Sequence, residues 1–346
     1  MLALVLAAPL RCLADPPPPP LPLDITSANE LSNDQLGVLK KYGDYWTGVL
    51  ADPKSKPEEV ETARARLLQP LQNFNTSLTF RNSYSKIIVP PLQSIIDQKT
   101  SAIHASINAI IVLSQTGADR AVTALLEHCS AQSETRWQIR LQAAYGCGTL
   151  LHSESLDPKK IMDAAKRLRD AVKIEDNNII LRHQFAAIAA ADHNPLPPAD
   201  RQTLRKLFVE ALNAVVDQLP KDKPSPMIDA ITSAIASLRD KFNNHVVDNT
   251  EGKTIGQTLG PRFGQLLTHA AANWDAGHAD EDLQKKFSLM LGVAEGFLAF
   301  IDGMVRGGTA VPQTKFRDAW NAADKAKFEA EIAQWVEALK QPPYGK

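Results

Sequence analysis

The chain has 346 residues, 44% hydrophobic and 22% charged, enough to bury one large core or two smaller ones. Acidic and basic residues number 39 and 38, so no one-signed field exists to steer the chain to nucleic acid or an anionic membrane. Aromatic residues make up only 6%, sparse for a cleft that stacks sugars.

The N-terminus is apolar. Leu2 to Leu10 form a short hydrophobic run, and Cys12-Leu13-Ala14 ends on a small residue, as at a signal-peptidase site. Residues 1–14 therefore read as a secretory signal peptide, which predicts export to the periplasm or the extracellular space. Arg11 follows the run and no basic stretch precedes it, a departure from the usual pattern. Lipid attachment at Cys12 would need small residues where Pro9-Leu10-Arg11 stand. Residues 15–32 read as a proline-rich linker. The consecutive prolines Pro16 to Pro20 predict an extended spacer of about 3.1 Å per residue.

From Asn33 onward the apolar residues follow a 3.6-residue period, and alternation is confined to brief runs such as Lys86 to Val89. The spacing predicts an all-α protein of roughly fourteen helices joined by short loops. Asp157-Pro158 opens a helix to about Val172, Pro198 opens one ending near Pro220, and Pro224-Ser225-Pro226 precedes one ending near Asn243. Leu283, Phe287, Met290, Leu291, Ala294, Phe297, Leu298, Ile301 and Met304 make a continuous helical stripe. Phe287 to Val305 is the most apolar stretch, but Glu295 and Asp302 would each cost about 2.5–3.5 kcal/mol at a bilayer centre. It reads as a buried helix, leaving no integral membrane segment after signal removal. Gly292 and Gly296, four apart, predict a close approach by another helix.

Three stretches superpose: IHASINAII from Ile103, IRLQAAYGC from Ile139 and LRHQFAAIA from Leu181, at steps of 36 and 42 residues. Each has an apolar residue followed by His104, Arg140 or Arg182, then small or apolar residues. Each precedes a short loop and a second apolar helix, such as Ala118 to His128. Ile139-Arg140 with Ala143-Ala144, and more loosely Leu181-Arg182 with Ala186-Ala187, resemble the helix start of HEAT-type α-solenoid repeats. The resemblance covers about residues 80–195. It implies stacked antiparallel helix pairs over residues 33–195, with residues 196–346 a less repetitive helical region packed on the first.

Gly146-Cys147-Gly148 follows no strand and lacks a third glycine, so it reads as part of a helix rather than a phosphate loop. The histidines are His104, His128, His152, His183, His193, His245, His269 and His278, with no zincin spacing. His269, Asp275 and His278 are the densest metal-like group, and histidines at a helix C-terminus are the plainer reading. Asp192-His193 is a weaker, loop-edge pair. Glu127, Glu154, Glu175, Asp176 and Asp275 could supply a glycosidase carboxylate pair, yet each falls where a solvated helix end is expected. Tyr42, Tyr45 and Trp46 could stack a ligand or pack their helix onto the body; Trp335, between Ile332 and Leu339, reads as core. Lys159, Lys160, Lys166, Arg167, Arg169 and Lys173 are balanced by Asp163 and Asp170, a solvated face.

Cys129 and Cys147 remain after signal removal. An antiparallel turn near Ser133 would separate them by about 10 residues, or roughly 15 Å, which predicts two buried thiols rather than a disulfide. The sequence assigns no catalytic, cofactor-binding or metal residue and implies no cofactor. The expected role is a non-enzymatic exported scaffold that binds another protein through a helical-repeat surface. The alternative is an (α/α) toroid hydrolase or lyase acting on polysaccharide.

Overall fold

A computed structural model of the protein describes residues 16–73, 75–153, 156–243, 247–307 and 314–344. The signal-like segment, Glu154 and His245 lie outside the described residues. Among the described residues there are sixteen α-helices, one 3-10 turn and no strand. In chain order they are α1 (Leu23–Thr26), α2 (Asn33–Ala51), α3 (Pro57–Leu68), α4 (Leu78–Asp97), α5 (Ile103–Leu113), α6 (Asp119–Leu126), α7 (Trp137–Leu151) and α8 (Pro158–Val172). They continue with α9 (Asn178–Ala191), α10 (Pro198–Val216), α11 (Ile228–Asn243), α12 (Asn249–Ala272), α13 (Trp274–Ala279), α14 (Glu281–Arg306), α15 (Phe316–Asn321) and α16 (Lys325–Ala338). The all-α expectation holds, and the alternating run at Lys86 to Val89 lies inside α4.

Local chemistry sets the starts. Ser32 and Gln35 form a reciprocal capping box on α2, and the side chains of Asn177, Asp248 and Asp280 accept backbone N–H groups at the starts of α9, α12 and α14. Pro158 occupies the first turn of α8, where its missing N–H costs nothing.

Successive odd-numbered helices pack side by side from α3 through α5, α7 and α9 to α11, and α14 follows α11. Even-numbered helices do the same from α4 through α6, α8 and α10 to α12. Hairpin neighbours such as α4 with α5, α6 with α7, and α8 with α9 join the two rows, and the buried side chains form one continuous core. Packing runs across residue 196 without a break, because α10 rests on α8 and α11 on α9.

Two local expectations differ from the structure. The segment 15–32 is not spacer throughout: Pro16 to Pro20 are mostly exposed, but Ile25 and Thr26 are buried, and Thr26 O accepts from Ser77 N at 2.9 Å at the start of α4. Only one of Gly292 and Gly296 meets a neighbouring helix: a Cβ on Gly292 would lie 2.7 Å from the Arg317 side chain of α15, whereas Gly296 has open space beside it. Close approaches occur also on α12, where a Cβ on Gly256 would lie 2.6 Å from Val305 of α14 and one on Gly260 would meet Tyr344.

By length and composition α14 could cross a membrane. Here it packs on α11, α12, α13 and α15 through Phe287, Met290, Leu291, Ala294, Phe297, Leu298 and Ile301. Its buried Asp302 accepts from Arg306 Nε at 2.8 Å and from the Tyr344 hydroxyl at 2.9 Å. Such partners remove the main cost of a buried carboxylate.

Candidate functional site

Most of the residues weighed for chemistry are occupied in holding the fold. Residues 137–151 form one helix, so Gly146-Cys147-Gly148 is no phosphate loop. A Cβ on Gly146 would lie 3.0 Å from Leu125 and 3.3 Å from Ser114, whereas one on Gly148 would rest 3.7 Å from Ala187 Cβ. Close packing against α5 and α6 is the reason for the first glycine.

His269, Asp275 and His278 do not converge. His269 Nδ1 lies 3.0 Å from Pro220 O, and Nε2 accepts the Ser225 N–H at 3.3 Å. That neutral ring pins the loop between α10 and α11 to α12, and burial lowers its pKa. His278 sits between Trp274 O at 2.9 Å and Trp320 O at 3.0 Å, stacked on the Trp274 ring. Asp275 is exposed and pairs with Lys325. Among the described residues no cluster of His, Cys, Asp or Glu is arranged to hold a metal. His193 packs on His152, and burial lowers its pKa, with Lys241 and His152 adding to the shift. Asp192 is buried against Arg205 and Lys241.

The carboxylates are likewise engaged. Glu127 pairs with Arg167 on the surface, while Asp176 is exposed. Glu175 corrects its sequence reading as a solvated helix end. It is buried, accepting from Arg140 Nε at 2.9 Å and Nη2 at 3.1 Å. Arg140 Nη1 also donates to Glu134 O at 2.9 Å. Glu134 is buried too. Desolvation opposes its charge, but hydrogen bonds from Arg136 and His128 prevail and hold its pKa at about 2. Arg136 Nη2 reaches back to Ile96 O at 2.6 Å, and His128 Nε2 meets Asp97 at 3.0 Å. Side-chain bonds therefore tie the end of α4, the start of α7 and the start of α9 into one seam.

Open grooves lie on the even-numbered row. One of about 620 Å³ sits between α10, α12 and α16, and one of about 600 Å³ between α4 and α6. Their linings contain a single carboxylate each, Asp217 and Asp119. A third, of about 420 Å³, contains Glu210, Asp248 and Glu251. Arg169 binds Glu210, Arg205 binds Glu251, and Asp248 caps α12.

The aromatics separate more sharply. Trp46, Trp274, Trp320 and Trp335 are all buried, and Tyr42 donates its hydroxyl to Arg66 O at 2.6 Å. Tyr42, Tyr45 and Trp46 thus pack α2 onto the body, with edge-on ring contacts. Trp137 is 49% exposed and Tyr145, two turns along α7, is 54% exposed. Tyr145 meets His183 of α9 edge-on at 5.6 Å. That contact and Gly148 against Ala187 give offsets of 38 and 39 residues, so α7 and α9 run parallel. Arg136 reaching the end of α4, and Gly146 facing Ile110 and Ser114, place α5 parallel on the other side. Their outer faces carry Ile103, Ile107 and Ile111, then Trp137, Leu141 and Tyr145, then Ile179 and His183, all exposed or half-buried. An outward apolar face three helices wide results.

Nothing among protein-family models, curated proteins or solved structures matches this chain. The outer face must therefore be read from its own chemistry. Sequence reasoning passed over it because α7 is apolar on both sides, and periodicity does not say which side is covered. The available signal was the four-residue step Trp137, Leu141, Tyr145, off the Ile139 and Ala143 stripe.

Finally, Cys129 and Cys147 are both buried free thiols, but the expected separation is wrong. Their Sγ atoms are 3.5 Å apart. Helix α6 stops at Leu126, and the following loop doubles back until Cys129 O accepts from Gln184 Nε2 of α9 at 2.7 Å. The contact with Cys147, together with burial, raises the Cys129 thiol well above its ordinary pKa.

Proposed function

We propose that this chain is a non-enzymatic, exported scaffold that binds a partner protein through the outer face of α5, α7 and α9. In this reading the helix pairs act as HEAT-like repeats, each covering the apolar face of the next and leaving the outer row for binding. One observation carries the reading. Trp137 and Tyr145 stand exposed on a rigid helix, flanked by isoleucines of the neighbouring helices. Large aromatic side chains supply contact area at small entropic cost, which is why they are enriched at interface centres. The side-by-side helices and the buried Arg140–Glu175 link between successive pairs support a repeat architecture. Of the groove carboxylates, Asp217, Glu210 and Glu251 are held by arginines, Asp248 caps α12 and Asp119 accepts the Asp157 N–H, which favours a scaffold over a polysaccharide hydrolase or lyase.

The test is affinity capture of the mature chain from an envelope extract, beside a Trp137→Ala, Tyr145→Ala double variant. Both side chains are half buried, so truncation should cost about 1–2 kcal/mol per site, and circular dichroism checks that the variant stays folded. Captured protein should be lost at least tenfold in the variant. Equal capture by both chains, or turnover of an envelope polysaccharide by the wild type, would overturn the reading.

A further inference from the structure

We propose that Cys129 and Cys147 are the two halves of an internal disulfide, formed as the chain folds in an oxidising compartment and sealed by burial afterwards. The geometry comes first. The two Sγ atoms touch at 3.5 Å, and a bond at about 2.05 Å requires a closure of roughly 1.5 Å. Cys129 lies in the loop between α6 and α7, so the shift falls on loop backbone rather than on two rigid helices. Cys147 lies on α7 with its neighbour Gly146 pressed against α5 and α6, and it holds its position.

Burial sets the order of events. Both thiols are inaccessible in the folded chain, and contact with Cys147 together with burial disfavours the Cys129 thiolate, so an oxidant cannot reach either sulfur once packing is complete. Oxidation belongs to the stage at which α6, the loop and α7 are still open. The two cysteines are only 18 residues apart, which makes that encounter local. One cysteine thiolate attacks a sulfur of a disulfide-bearing oxidant and expels one thiolate of that oxidant. The second cysteine loses its proton and attacks the mixed disulfide, expelling the other. The two cysteines give up two protons and two electrons, and the oxidant leaves as two thiols or one dithiol. After docking, the loop and α9 shield the bond from exchange.

The full chain, unfolded and reduced, is refolded with glutathione disulfide as oxidant, then unfolded in guanidinium with excess iodoacetamide and digested with trypsin. Cleavage after Arg120, Arg136, Arg140 and Lys159 separates the two cysteines into peptides 121–136 and 141–159. The expected product is these two peptides joined, two hydrogens lighter than their sum and separated by reductant. The oxidised chain should also melt about 5 °C above the reduced one, a difference that Cys129→Ala removes. If that variant does not fold, the reduced wild type supplies the comparison. Two alkylated cysteines, or glutathione retained on either one, overturn the proposal. A linked peptide without a shift in melting keeps the bond and overturns its sealed, stabilising placement.

Discussion

Arg140→Met is the sharpest test of the seam between successive helix pairs. The substitution leaves Glu175 with the Asn177 N–H at 3.1 Å in place of a two-pronged guanidinium, and the carbonyls of Glu134 and Thr135 lose a donor. The side chains of Arg140 and Glu175 are 8% and 0% exposed, so water cannot replace the lost partner. Removing one member of a buried pair costs about 3–5 kcal/mol, against about 0–1 kcal/mol for a surface pair. A stability of about 5–15 kcal/mol would drop by a large fraction. Urea unfolding followed by circular dichroism at pH 7 should show a lower midpoint with an unchanged slope. Arg140→Met combined with Glu175→Leu removes both charges and should recover more than half the loss. A single-variant loss below about 1 kcal/mol, or a double variant no more stable than the single, refutes the argument.

The two glycines of α7 should respond oppositely. Gly148→Ala places its Cβ at ordinary contact distance and should stabilise by about 0.5–1 kcal/mol, whereas Gly146→Val forces Leu125 and Ser114 apart and should cost about 1–3 kcal/mol. Thermal melts of both variants decide this, and equal effects would contradict the packing described. Glu134 governs the acid limb. Its pKa is lowered on folding from 4.5 to about 2, so its contribution is present above about pH 4.5 and disappears as pH falls toward 2. The contribution amounts to up to about 3 kcal/mol. Glu134→Gln should flatten that part of the stability–pH curve, and an unchanged slope between pH 4.5 and 2 would count against it.

Fold class was legible because it depends on local terms. The 3.6-residue stripe of Phe287 to Ile301, the proline at the start of α8 and the end of α11 at Asn243 are written in neighbouring residues, and the structure follows them. Register was less accessible. Ile139 and Leu181 are both fully buried on adjacent helices, yet Ile103, which the sequence pattern aligns with them, is 39% exposed. Arg140 is buried in an ion pair, while Arg182 stands in solvent. Residues in equivalent places along a sequence pattern therefore meet different neighbours, because those neighbours belong to other segments of the chain.

The same limit explains the candidate site. From residue types and spacing, α7 is helical, and the histidines lack a metal-binding step. The sequence also shows that charge is balanced, and these facts depend on nothing distant. Which side of α7 faces solvent, which glycines admit a neighbour, whether Glu175 is wet or buried, and how far Cys129 lies from Cys147 were fixed only when α9 and α5 closed on either side. Burial and pairing are properties of two or more segments at once. A single stretch of chain specifies its own periodicity but not the surface that will cover it.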